Sequence, residues 1–372
     1  MKLCYLTHTR LPTEKAYGIQ MANTVKAFSQ VGYKTTLLTA KHKNSIVEDF
    51  FTYYNIEPAL FSVRYFAIPN FFERSRFGFW LHLMLFSIVA MFSIIGRKYT
   101  TIYSREPFPL LFLAFLPYTT IYEMHDFPQS YHRVQSFLCR SVSKLVVTNE
   151  WAKTQCVERY NINPNKILVT PNGFDETKFN NSVSKDEARK SLGLPLQAKI
   201  VMYSGHLYAW KGVDVIAQVA NELTDIMFMF VGGTEKEQKE LKSRYNFKPN
   251  VTLIPHQAPH HVPLYLQAAD ILVLPNIPVN QHSEFSTSPI KLFEYMAVAR
   301  PVIASQLPSI TSLVSDEYVF FAEPGNVSDW KRVIKNVLIQ ENEVQKKVLN
   351  SLKKAQKFTW KSKAELIMLH IK

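Results

Sequence analysis

The chain has 372 residues, 47% hydrophobic and 20% charged, too long for one ordinary core and too apolar for a disordered or fibrous chain, so two domains are expected. Its formal net charge of +13 is concentrated early, with nineteen Lys and Arg against ten Asp and Glu in residues 1–170; this suits an anionic membrane, a phosphorylated substrate, nucleic acid or solubility alone. The cysteines, Cys4, Cys139 and Cys156, are odd in number and lack metal-ligand spacing, which argues against zinc and for a reducing compartment.

Met1-Lys2 leads directly into Leu3-Cys4-Tyr5-Leu6, a strand's length of apolar residues and not a signal peptide, so a cytoplasmic location is expected. Strand-like runs occur at 2–7, 34–39, 101–104, 119–123, 144–148 and 166–170, separated by helical patterns such as 19–29 and 151–160. Residues 77–95 carry no charge and are long enough to cross a bilayer. Gly78, His82, Ser87 and Ser93 interrupt the segment and a strand follows at once, so it reads as a buried or interfacial helix. Residues 173–196 are polar and read as a linker with a short helix; a second series of strands follows at 199–204, 226–231, 251–254, 270–274, 301–304 and 318–321. Alternating strands and helices predict an α/β architecture of two Rossmann-like, doubly wound parallel-sheet domains facing across a cleft. The expected division is 1–172, joined by 358–372, then the linker 173–196, then 197–357.

The sequence contains no G-x-G-x-x-G, Walker loop, H-E-x-x-H, G-x-S-x-G or CxxC, which removes the simplest dehydrogenase, kinase, zinc-protease and hydrolase readings. What remains is polar residues at strand ends, where ligands of such sheets bind. Gly205 to Lys211-Gly212 is a glycine turn with a lysine just before a helix, suited to a phosphate, although a helix-start lysine is also simply solvated. Ser286-Thr287-Ser288-Pro289-Ile290 opens a helix bearing Glu294, a carboxylate able to accept both hydroxyls of a ribose or only to answer the helix dipole. Glu123-Met124-His125-Asp126 ends a first-domain strand; His125 there could hold a sugar hydroxyl, move protons, or be a structural histidine. Arg105-Glu106 and Gly18-Ile19 end or follow neighbouring strands.

As a set these residues resemble the two-Rossmann retaining glycosyltransferases often called family 4, of the GT-B type, over almost the whole chain. The set comprises Tyr17-Gly18-Ile19, Glu123-Met124-His125-Asp126, Thr170-Pro171-Asn172-Gly173-Phe174-Asp175, Gly205 to Lys211-Gly212 and Ala269 to Pro275. It continues through Ser288-Pro289 to Ala297 and Arg300 to Ser305, and Phe358-Thr359-Trp360 resembles the start of a last helix that crosses back to the first domain. The resemblance implies catalytic roles for His125 on the transferred sugar, Lys211 on the donor diphosphate and Glu294 on the nucleotide ribose. It implies a donor site of Gly18, Gly205, His206, Lys211, Ser286, Thr287, Ser288, Pro289, Ile290 and Glu294, with Ile19, Arg105 and Asp126 lining the acceptor side. It implies neither metal nor cofactor. His206 stands where the family has a basic residue after the glycine turn. The family's paired glutamates lie eight positions apart; Ser286 stands eight before Glu294, and Glu284 two residues earlier.

The implied reaction moves a hexosyl or related group from a nucleotide-diphosphate donor, with retention by front-face attack, to a glycan or lipid-linked acceptor in cell-surface polysaccharide synthesis. Nucleic acid is not an expected partner. The basic first domain and the aromatic stretch 65–80 suggest a peripheral station on an anionic membrane's inner face. A sugar-nucleotide epimerase would use the same nucleotide grip, and a nonenzymatic basic membrane or nucleic-acid binding protein would explain the charge alone.

Overall fold

The structure, a computed structural model, describes residues 1–68, 76–128, 130–179 and 183–371. Part of the aromatic stretch 65–80 therefore lies outside the described residues. The chain divides into two compact units, Met1–Gly173 with Trp360–Lys372, and Phe174–Thr359.

The first unit begins β1 (Lys2–Thr7), α1 (Ala16–Gln30), β2 (Lys34–Ala40), α2 (Phe50–Tyr54), β3 (Ser62–Phe66), α3 (Arg76–Ile94) and β4 (Thr101–Ser104). It continues with α4 (Pro107–Leu113), β5 (Thr119–Met124), α5 (His132–Ser141), β6 (Lys144–Val147), α6 (Glu150–Tyr160) and β7 (Ile167–Val169). All pairings in its sheet are parallel, in the order β3-β2-β1-β4-β5-β6-β7. Central strands covered on both faces favour apolar residues, which is why β1 from Leu3 to Thr7 and all of β4 are buried. β3 escaped the sequence reading because it is an edge strand, Ser62-Val63-Arg64-Tyr65-Phe66, with three of its five residues exposed and no apolar run to announce it. Strand order reverses between β1 and β4, where a doubly wound sheet opens a crevice at its carboxyl edge.

On one face of this sheet Cys4, Leu6, Ile102 and Leu145 pack with Phe86, Ala90, Leu110 and Leu138. On the other, the Tyr5 and Tyr103 rings meet at a tilt, 5.3 Å apart, and Phe28 of α1 meets Tyr103 edge-on at 5.0 Å. The three cysteines are buried and unbridged. α3 turns Leu83, Phe86, Ala90 and Ile94 inward at helical spacing, together with His82 and Ser87, and leaves Phe77, Met84 and Phe92 exposed. By length and composition it could cross a membrane, yet in this unit it covers the sheet with one face.

The second unit starts with α7 (Lys185–Leu192), β8 (Ile200–Ser204), α8 (Val213–Glu222), β9 (Met227–Val231), α9 (Glu235–Arg244), β10 (Val251–Ile254) and α10 (Val262–Ala268). β11 (Ile271–Leu274), α11 (Ile290–Ala297), β12 (Val302–Ser305), α12 (Pro308–Thr311), β13 (Phe320–Ala322), α13 (Val327–Ile339) and α14 (Glu341–Ala355) complete it. The parallel order β10-β9-β8-β11-β12-β13 again reverses beside the first strand, between β8 and β11. Within the stretch read as a linker, α7 is capped reciprocally by Ser184 and Glu187 and stopped by left-handed Gly193. Its Arg189 is buried, donating to the Ala268 carbonyl at 2.9 Å and pairing with Asp270 at 2.7 Å, so this helix is part of the second unit. The last helix, α15 (Trp360–Ile371), returns to the first unit and packs along α1.

Candidate functional site

In the first unit the candidate residues lie at the carboxyl ends of β1, β4 and β5. Glu123 points into the α1 face of the sheet, wholly buried, and accepts hydrogen bonds from Tyr103 Oη (2.7 Å), Lys363 Nζ of α15 (2.6 Å) and Gln20 Nε2 of α1 (3.3 Å). His125 Nε2 stands 3.0 Å from the same carboxylate and 2.8 Å from Gln20 Nε2. Arg105 donates to Gln20 Oε1, which orients the amide with its nitrogen toward His125. Burial alone would raise the Glu123 carboxyl, but the Lys363 cation first, and then Arg105, hold it well below the usual carboxylate range. Burial, reinforced by the Arg105 cation, pushes His125 down to about 4, so its ring is neutral at physiological pH.

Sequence reasoning therefore placed His125 and Arg105 correctly at strand ends but missed Gln20, Tyr103 and Lys363, which join them. Asp126, the next residue along, is exposed, and half-buried Ile19 uses its carbonyl to accept from Asn23 Nδ2 at 2.8 Å. Gly18 sits in the first turn of α1, where a Cβ would lie 2.3 Å from Tyr54 Oη and 2.4 Å from Thr13 Cγ2. Its lack of a side chain is thus already required by packing inside the unit.

A second buried pair was also missed. Glu106 accepts from Thr7 Oγ1 (2.5 Å), the His8 backbone N–H (2.7 Å) and His8 Nδ1 (2.5 Å). Burial lowers His8, but the Glu106 charge more than offsets it and leaves the imidazole above its ordinary value. Arg105 and Glu106, adjacent in sequence, project to opposite faces of the sheet as strand alternation requires, so each supports a separate cluster.

In the second unit β8 ends at Ser204, whose N–H and C=O both engage the buried Tyr295 hydroxyl (2.8 and 3.2 Å). Gly205 follows with φ +146 and donates to the Val231 carbonyl, and a Cβ on Gly232 would come 2.7 Å from the Gly205 oxygen, so two backbones meet here. A single 3-10 turn, Ala209–Lys211, leads to left-handed Gly212, where a Cβ would fall 1.7 Å from the Pro275 oxygen. Only glycine admits this approach of the β8 and β11 loops. Lys211 lays its ammonium 3.9 Å over the Trp210 ring; burial, then the nearby Lys291 cation, lowers it to about 8.

Lys291, absent from the sequence prediction, pairs with Glu294 at 2.8 Å across one turn of α11. The helix begins at Ile290 with Pro289 as its N-cap, one residue earlier than a first-turn proline. Before it, a π-helical turn His282–Ser286 carries Glu284, half-buried, and ends in buried Ser286, Thr287 and Ser288. The Thr287 hydroxyl is already engaged by the His282 carbonyl at 3.0 Å. His206 stacks on Tyr208 at 4.8 Å and stands 3.3 Å from Glu237, whose carboxylate also accepts the Leu207 N–H. An acid therefore accompanies His206. Nothing at Glu237 announced it in sequence, since it falls in the charged first turn of α9.

Residues 184–357 match the family model for glycosyl transferases group 1. Over 199 residues the chain is 26% identical to the UDP-Gal:alpha-D-GlcNAc-diphosphoundecaprenol alpha-1,3-galactosyltransferase of Escherichia coli, covering 50% of this chain and 49% of that protein. It is 25% identical over 236 residues to a D-inositol 3-phosphate glycosyltransferase of Rhodococcus opacus, covering 60% and 51%. The chain spans about half the length of these curated relatives. Sucrose-phosphate synthase from Thermosynechococcus elongatus superposes with TM-score 0.79 at 16% identity over 99% of this chain and 97% of that chain. Anabaena HepE, in complex with UDP and glucose, gives 0.74 at 18% identity over 99% and 98%. These likenesses, with the two parallel sheets, place the fold in the two-Rossmann GT-B type.

Proposed function

Residues 184–357 belong to the group 1 glycosyl transferases, and from that premise we propose that the chain is a retaining glycosyltransferase moving a hexosyl or related group from a nucleoside-diphosphate donor. The observation that carries the reading is the grouping of Lys211, Lys291 and Glu294 beside the Gly205 and Gly212 turns, at the carboxyl end of β8. Two ammonium groups offset the charge of a diphosphate, and Glu294 can accept ribose hydroxyls. The serines around Thr287 would line the donor from the α11 side.

As the bond from the anomeric carbon to the diphosphate oxygen breaks, negative charge grows on that oxygen, and the fixed cations stabilise it. The acceptor oxygen bonds to the same face of the anomeric carbon while its proton passes to the departing phosphate oxygen, which preserves configuration. In the first unit His125, neutral, would contact the transferred sugar. UDP-sugars are the donors to test first, because the Escherichia coli relative is named for UDP-Gal and HepE was solved with UDP. A diphosphate-lipid or glycan acceptor in cell-surface polysaccharide synthesis fits the first relative's name. The basic first unit, with Phe77, Met84 and Phe92 exposed on α3, supports a peripheral station on the cytoplasmic face of a membrane. The reading requires neither a resident metal nor another cofactor.

The test is sugar transfer by Lys211→Ala and Glu294→Ala. Each should lose at least about tenfold in turnover or donor affinity, because a charge-assisted contact contributes about 1.5–3 kcal/mol. Full activity in both, with both folded, would remove the donor site from these residues.

A further inference from the structure

The polar cluster around Glu123 contains a residue that no role so far uses. Lys363 comes from the last helix, is 3% exposed, and places Nζ 2.6 Å from Glu123 Oε1 and 3.2 Å from the Pro171 carbonyl. Oε1 is also the oxygen 3.0 Å from His125 Nε2, while the other carboxylate oxygen is taken by Tyr103 Oη. We propose that Lys363 is a positioning residue: by holding the Glu123 carboxylate oxygen that faces His125, it keeps that histidine neutral and fixes the tautomer it offers to substrate.

Arg105 turns the Gln20 amide nitrogen toward His125 Nε2 at 2.8 Å, an arrangement that favours the tautomer in which Nε2 accepts and Nδ1 carries the proton. A bare buried carboxylate 3.0 Å from Nε2 would oppose this, because it would draw a proton onto that nitrogen. Lys363 supplies the cation to that oxygen instead. Three charged groups act on His125: Glu123 from β5, Lys363 from α15 and Arg105 from the end of β4, a sum of one positive charge with the ring neutral. A protonated ring would make two in a buried site. Removal of Lys363 leaves Arg105 and Glu123 balanced, and ring protonation then restores the original sum. Burial first, and then Arg105, already lower His125, with Lys363 adding to the effect. The chain's final helix thus acts on a residue 238 positions earlier, entirely within the first unit.

The role of His125 toward the sugar rests on the proposed function, so the test first reads the ring and not the reaction. Histidine ring signals are followed by NMR against pH in wild type, Lys363→Met and Lys363→Arg, with His125 identified by its loss in His125→Gln. In wild type the ring should stay neutral down to about pH 5. In Lys363→Met its midpoint should rise by at least about 1.5 pH units, and Lys363→Arg should resemble wild type. Should the methionine variant not fold, Lys363→Gln retains an N–H donor to Glu123 without the charge and carries the same expectation. An unchanged His125 titration in the folded charge-removing variant would overturn the proposal. With the midpoint raised, transfer by that variant should be lost as pH falls through it. A raised midpoint with an unaltered activity profile upholds the positioning of the ring and refutes the catalytic role assigned to His125.

Discussion

Lys211 shows how much a single residue's surroundings matter. A lysine before a helix is ordinarily solvated and charged up to about pH 10, but here burial over an indole and then a neighbouring lysine lower it to about 8. Only the ammonium form helps to bind a diphosphate, and a lowered value means that this form is lost as pH rises through about 8. Donor affinity should therefore weaken above pH 8 by up to about tenfold per pH unit, and Lys211→Arg should flatten that dependence because a guanidinium stays charged. A donor KM that is constant from pH 7 to 9.5 in wild type would contradict it. Lys211 and His125 stand out in the sequence because they lie just after a strand or just before a helix, and Glu294 because it sits on a helix opened by hydroxyl residues. Lys363 does not, for it sits among other polar residues, Lys361-Ser362-Lys363, and its partner lies 240 positions away. Removing one partner of such a buried pair costs about 3–5 kcal/mol, so its cost as well as its chemistry was hidden from local pattern.

At the scale of elements, the strands were legible where both faces are covered, since burial there favours short runs of apolar and β-branched residues. The edge strand β3 and the π-helical turn before α11 were not, because neither has a periodic pattern of its own. α3 was legible as an apolar helix but not in its orientation: the structure spends Leu83, Phe86, Ala90 and Ile94 on the core and leaves Phe77, Met84 and Phe92 outside. If that outer face meets lipid, Met84→Asp with Phe92→Asp should weaken association with phosphatidylglycerol vesicles at low salt by at least about tenfold without unfolding the unit, since the substituted positions are exposed. Flotation would measure it. Equal association of variant and wild type would move the contact away from α3.

The whole molecule repeats one solution twice: a parallel sheet whose strand order reverses beside its first strand, with polar residues gathered at the carboxyl edge. Each unit has its own buried core and its own candidate cluster, and the sequence expressed that division through two series of alternating strands and helices. On the proposed function, the second unit grips a nucleoside diphosphate through Lys211, Lys291 and Glu294. Its most direct test is the thermal unfolding of wild type and Glu294→Ala with UDP and UDP-hexoses. A ligand at about 100 times its dissociation constant stabilises by roughly 2.7 kcal/mol. Wild type should show a clear upward shift and Glu294→Ala a much smaller one; equal shifts, or none with any nucleoside diphosphate, would remove the nucleotide from this site.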